Sequence, residues 1–230
     1  MDDMDDMDST PADGIASADG AIPADSSTPA DGSLQQLNPT LTRGMRLAKL
    51  AGTHSLVFLL VLSLFAAADS WSTVTGLGIA GFLCLLTAAL AGVTITTLVH
   101  EWFHYLGARF SGASYEIPDK QGLFVFDWNF SDNQLRQFFI MSVAGSVGGL
   151  VAIVLLWNSV PADSWGRAAL RGGALAGFVF GSCVEWPVLR RTWQSGEPLV
   201  ELSKINESVL ARSFIAALLV GVAGTVALAP

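Results

Sequence analysis

The run His100-Glu101-Trp102-Phe103-His104 places two imidazoles and a carboxylate at the spacing of a zinc-peptidase helix. On an α-helix, residues four apart share a face, so His100 and His104 can grip one metal ion while Glu101 flanks the open coordination position. The pattern H-E-x-x-H carries a mechanism: a zinc-activated water attacks a peptide carbonyl and the glutamate moves the proton. Here the run lies inside a strongly apolar segment, which points to a protease working in a membrane.

The elements that must position these residues are apolar blocks. Hydrophobic residues make up 51% of the chain and charged residues 14%, and several blocks approach or exceed the roughly 18 to 20 residues needed to cross a bilayer. Five segments are expected at 54–68, 77–99 running on into the motif, 138–160, 168–189 and 209–229. The net charge of -8 is misleading, because nine Asp residues precede Asn38 and leave the remainder at +1. No basic surface for nucleic acid is present. Residues 1–40 read as a disordered acidic tail, with Ser9-Thr10-Pro11-Ala12-Asp13-Gly14 repeated as Ser27-Thr28-Pro29-Ala30-Asp31-Gly32 and too little apolar area to order itself. Its start lacks the basic and apolar run of a cleaved signal peptide. Residues 41–230 form the membrane domain. If five helices alternate, Arg43, Arg46, Lys49, Arg109, Lys120, Arg136, Arg190, Arg191, Lys204 and Arg212 share one side and only Arg167 and Arg171 oppose them. That distribution predicts a cytoplasmic N-terminus and an external C-terminus in the cell (inner) membrane.

Helix faces bring the segments together. Thr94, Thr97, His100, Glu101 and His104 make a polar stripe expected to face the bundle interior or water. In the fourth segment Gly173, Gly177, Gly181 and Glu185 recur every four residues, a small-residue ridge that permits close helix approach and delivers one carboxylate on the same face. Ala144, Gly145, Gly148, Gly149 and Ala152 give the third segment a similar surface. The topology puts Glu185 at the same membrane depth as the histidines.

From about Leu98 to Leu189 the chain resembles the site-2 protease family of intramembrane zinc metalloproteases. The likeness rests on Val99-His100-Glu101-Trp102-Phe103-His104 followed by small residues, a cytoplasmic stretch of strand character, and Ala144-Gly145-Ser146 where that family commonly has Ala-Gly-Pro. It implies that His100 and His104 are zinc ligands, that Glu101 is the general base, and that a three-helix catalytic core carries added helices. The family's third ligand is usually an Asp in a Leu-Asp-Gly element of a later helix, whereas every Asp-Gly pair here lies in the N-terminal tail. Glu185, followed by Trp186-Pro187, is the only acidic residue inside the later apolar segments and is taken as the substitute ligand.

Other assignments compete at each position. The histidines could be a hydrogen-bonded intramembrane pair, and Glu185 an interfacial carboxylate paired with Arg190 or Arg191. His54, Cys183 or a carboxylate in the 116–132 segment are the alternative third ligands. Between the second and third helices, Phe124, Phe126, Trp128 and Phe130 alternate with Val125, Asp127 and Asn129, a period-two strand with one aromatic face. Residues 115–117 are its expected partner. Residues 123–130 could hold a substrate by strand pairing, or the aromatics could simply pack on the membrane surface.

The expected protein is thus an all-α polytopic membrane protein of about five transmembrane helices, with a three-helix metalloprotease-like core and a short cytoplasmic β-hairpin. The expected function is zinc-dependent endopeptidase action on a membrane-embedded or membrane-proximal protein substrate near the cytoplasmic face, with the lipid bilayer as its surroundings. The alternative is a catalytically inactive relative acting as a membrane scaffold or regulatory protein. A di-iron oxygenase needs more than three histidines, and a metal transporter needs polar residues through the full membrane depth.

Overall fold

The computed structural model describes residues 39–120 and 122–230, so the expected tail, up to residue 38, lies outside the described residues. The chain is mostly helical: α1 (Pro39–Thr75), α2 (Gly78–Phe110), β1 (Tyr115–Glu116), β2 (Asp127–Trp128), α3 (Leu135–Ser159), α4 (Trp165–Ser195), α5 (Pro198–Leu202) and α6 (Glu207–Leu228). Five helices, all but α5, are long and apolar enough to cross a membrane. Their outward faces carry Leu59, Leu86, Leu155 and Leu219, all exposed, an apolar exterior suited to lipid. The first span is longer than the 54–68 block predicts, because helix continues through the polar turns on either side of that block.

Helix ends are chemically marked. Ser164 accepts from the Arg167 amide and Asn206 from the Val209 amide, capping α4 and α6, while Gln134 and Gln137 form a reciprocal capping pair at α3. Such caps satisfy amides that have no partner within the helix. Gly112, with φ +68°, ends α2 in the left-handed conformation that glycine adopts without strain. Arg171 donates to the carbonyls of Trp157 (2.9 Å) and Val160 (3.0 Å), and Arg167 reaches Asp69 at 3.3 Å to tie α4 to α1.

Small residues set the helix spacing. A Cβ on Gly92 would overlap the Leu170 carbonyl, and one on Gly173 would overlap Ala89, so α2 and α4 meet backbone to backbone. The main core lies among Val61, Phe65, Ala88, Ala91, Ile95, Leu170 and Ala174. A second cluster joins Leu50, Tyr105, Ile117 and Val125, and a third joins Phe138, Val188 and Leu189.

The hairpin is antiparallel, with Tyr115 opposite Trp128 and Glu116 opposite Asp127, but each strand has two residues rather than the longer run expected. The carbonyls of Tyr115 and Ile117 accept from Arg43 (3.3 Å) and Arg46 (3.4 Å) of α1. Fully buried Val125 follows the core while its neighbour Phe124 stays exposed. Side-chain anchoring thus holds the edge of β1 that faces away from β2.

Candidate metal centre

Helical geometry puts His100 and His104 one above the other on α2, with ring centroids 4.4 Å apart and planes at 87°. Their Nε2 atoms are 2.9 Å apart. Both rings and Glu101 are buried, and one ligand atom from each of His100, Glu101 and His104 falls within 4.8 Å of the others, a group that could hold a metal ion. Glu185, from α4, brings Oε1 to 2.7 Å from His100 Nε2 and 3.0 Å from His104 Nε2.

Proton bookkeeping at this triangle identifies what it needs. The carbonyl of Met141 lies 2.9 Å from His104 Nδ1 and can only accept, so the proton of a neutral ring sits on Nδ1 and leaves Nε2 a bare lone pair. That lone pair faces a carboxylate oxygen and a second imidazole nitrogen. Three electron-rich atoms this close require a positive centre between them, a proton or a metal ion. Glu185 Oε2 is also buried without a hydrogen-bond partner, an arrangement that is costly unless a cation takes up its charge. The donor set fits a metal ion.

The surrounding glycines make room for the rings. A Cβ on Gly145 of α3 would overlap the His104 imidazole, one on Gly181 of α4 would stand 3.4 Å from His100 Cε1, and one on Gly148 would overlap Phe103. The small-residue surfaces of α3 and α4 thus seat the motif as well as the helices.

The stripe residues Thr94, Thr97, His100, Glu101 and His104 lie within about 120° of arc on α2; His100, Glu101 and His104 are buried, and Thr94 and Thr97 are half-buried in a groove beside His54. His54 stands apart from the group that could hold a metal ion. Its Nδ1 accepts from the Trp102 indole N–H at 3.1 Å and its Nε2 donates to the Gly122 carbonyl at 2.9 Å, which occupies both ring nitrogens. Cys183 is half-buried, and two residues before Glu185 it falls on the opposite side of α4. Of the 116–132 carboxylates, Asp119 pairs with Arg46 at 2.7 Å and Asp132 accepts from Asn129 at 2.7 Å, while Glu116 and Asp127 are exposed. Arg191, a rival partner for Glu185, bonds Glu201 instead at 2.9 Å.

The chain matches no family model, no curated protein and no solved structure.

Above the centre opens a cavity of about 210 Å³ with Glu101, His104, Ser142 and Glu185 as its polar lining. Phe124, Phe126, Trp128 and Phe130, the alternating aromatics, line it together with Phe138 of α3, and Leu202 and Ile205 close another side. The last two follow from α5, which the sequence reading missed although Pro198 sits at its first turn. Glu201 pins α5 by accepting from Arg191 and from Lys204 (2.7 Å); hydrogen bonding from Lys204, reinforced by Arg191, holds its carboxyl below the usual carboxylate range. The role of the Met141 carbonyl had no sequence signal, because every residue carries one.

Proposed function

We propose that this protein is an intramembrane zinc-dependent endopeptidase, similar in its centre to the site-2 protease family. The observation that carries the reading is the convergence of His100, His104 and Glu185 on one point, with Glu101 beside them at the base of an apolar cleft. Zinc held at 2.0 to 2.1 Å by tetrahedral ligands separates those ligands by roughly 3.3 Å, against the 2.7 to 3.0 Å here. An opening of about 0.3 to 0.6 Å along each edge would bring the triangle to that size. His100, His104 and Glu185 would hold the ion, two imidazoles and one carboxylate being a donor set that zinc accepts in hydrolytic enzymes. A zinc ion bound there supplies a Lewis acid that activates water and polarises the scissile carbonyl.

Glu101 is the proton carrier. Its carboxylate takes a proton from the attacking water and returns it to the leaving amine. The Met141 carbonyl keeps His104 in the tautomer whose Nε2 faces the centre. The aromatic and aliphatic walls exclude bulk water and select apolar segments. The carbonyls of a helical substrate are committed to bonds within its own helix, so a membrane-spanning substrate would enter the cleft unwound. Unwinding frees backbone groups that are otherwise bonded within a helix, and pairing along 123–130 beside β2 would satisfy them.

The test is hydrolysis by the purified full-length protein of an internally quenched peptide rich in Phe and Leu. Wild type is expected to cleave it when loaded with zinc, and Glu101→Gln to retain zinc while losing at least about 10²-fold in kcat. Undiminished cleavage by Glu101→Gln would overturn the mechanism, and zinc binding without cleavage of membrane-derived peptides would favour a scaffold.

A further inference from the structure

Hydrolysis of a peptide generates negative charge on the carbonyl oxygen, and active sites usually meet it with an amide or side-chain donor. A site built on helices has a particular difficulty here: amides in helix interiors are committed to the carbonyl four residues earlier and cannot be offered to a substrate. On the helices that carry the centre, the donor must therefore come from a side chain. Apart from the base Glu101 and the proposed ligands, the described residues lining the cleft include two side chains with an O–H or N–H, Ser142 and Trp128.

Among the described hydroxyls on the spanning helices that make no bond to their own helix, Thr96, Ser146 and Thr192 are buried away from the cleft and Ser142 lines it. Thr73, Thr87, Thr97 and Thr225 each donate to the carbonyl four residues earlier, at 2.8 to 2.9 Å. This is the ordinary fate of a hydroxyl on a helix in an apolar setting. Ser142 is 7% exposed, and its Oγ has the Met141 thioether, a weak acceptor, at 4.0 Å. It also follows directly on Met141, the residue whose carbonyl orients His104. The turn of α3 that fixes a proposed ligand therefore presents an uncommitted hydroxyl to the cleft beside it. Trp128 belongs to the hairpin wall, where its ring stacks edge-on against Phe126 and Phe138.

We propose that Ser142 is a catalytic residue of this centre, its hydroxyl donating a hydrogen bond to the oxygen of the peptide carbonyl under attack. The assignment rests on the peptidase reading above. In the step, a bond forms between the water oxygen and the carbonyl carbon, the water proton passes to Glu101, and the carbonyl π pair moves onto oxygen, where Ser142 O–H stabilises it without giving up its proton. The C–N bond then breaks, the pair returns from oxygen to carbon, and the proton on Glu101 goes to the departing amine. No oxidant or further reactant is needed.

The experiment compares wild type, Ser142→Ala, Ser142→Thr and Trp128→Phe, all full-length and zinc-loaded, on the same quenched peptide and on a phosphinate peptide of matching sequence, whose tetrahedral phosphorus imitates the charged transition state. Ser142→Ala is expected to lower kcat on the order of 10²-fold with KM and zinc content retained, to weaken the phosphinate by the same factor, and to be rescued in part by Ser142→Thr. A purely structural role would move zinc content or KM instead. Unchanged kcat and phosphinate affinity in Ser142→Ala, or a loss confined to Trp128→Phe, overturns the assignment. If zinc-loaded wild type cleaves nothing, the peptidase reading fails and Ser142 loses its role with it; cleavage by wild type that Ser142→Ala leaves intact removes Ser142 alone.

Discussion

At the scale of single residues, the centre depends on what is missing as much as on what is present. Gly145 has no side chain where the His104 imidazole lies, and a methyl group there would overlap the ring. Since α3 packs on α2 through this contact, the strain cannot be relieved without moving His104 off the Met141 carbonyl. Gly145→Ala is therefore expected to weaken zinc binding by about 10- to 100-fold, the usual cost of disturbing the groups that orient a ligand; affinity equal to wild type in chelator competition would mean that the ring is seated some other way. The sequence made His100, Glu101 and His104 legible because helix periodicity alone brings them together. It did not reveal the Met141 carbonyl or the uncommitted hydroxyl of Ser142. Both depend on how α3 is rotated against α2, which local spacing does not encode.

Among the elements, the long helices were readable from hydropathy and the short ones were not. At 1.5 Å per residue α2 is about 50 Å long, and His100 lies roughly 33 Å from its start, near the far edge of a hydrocarbon core about 30 Å thick if the span begins at Gly78. The motif then sits at a membrane face, the same face to which ten of the twelve basic residues fall when five helices alternate. Reporter domains fused after Arg191 and after Pro230 are accordingly expected on opposite sides, the first cytoplasmic and the second external. Both reporters on one side would contradict five crossings. The hairpin was legible in its pairing partners but not in its extent. Arg43 and Arg46 hold carbonyls on the edge of β1 that faces away from β2, and such long-range anchors leave no mark on local alternation. Pro198 to Leu202 is too short for any periodic signal, although its Glu201 and Leu202 shape the cleft wall.

For the whole molecule, a stretch of sequence with one chemical motif becomes a site only because α2, α3 and α4 enclose it. The glycine ridge of α4 brings Glu185 to the imidazoles, and the hairpin and α5 complete an apolar cleft above them. No other carboxylate among the described residues is paired with both Nε2 atoms, which under the peptidase proposal makes Glu185 the third ligand. Zinc affinity therefore tests the account most directly. In chelator competition on the detergent-purified full-length protein, wild type and Arg190→Ala are predicted to bind one zinc with equal affinity, and Glu185→Ala to bind it more than about 100-fold more weakly, as befits loss of a direct ligand. Affinity for zinc unchanged by Glu185→Ala would contradict the proposed centre.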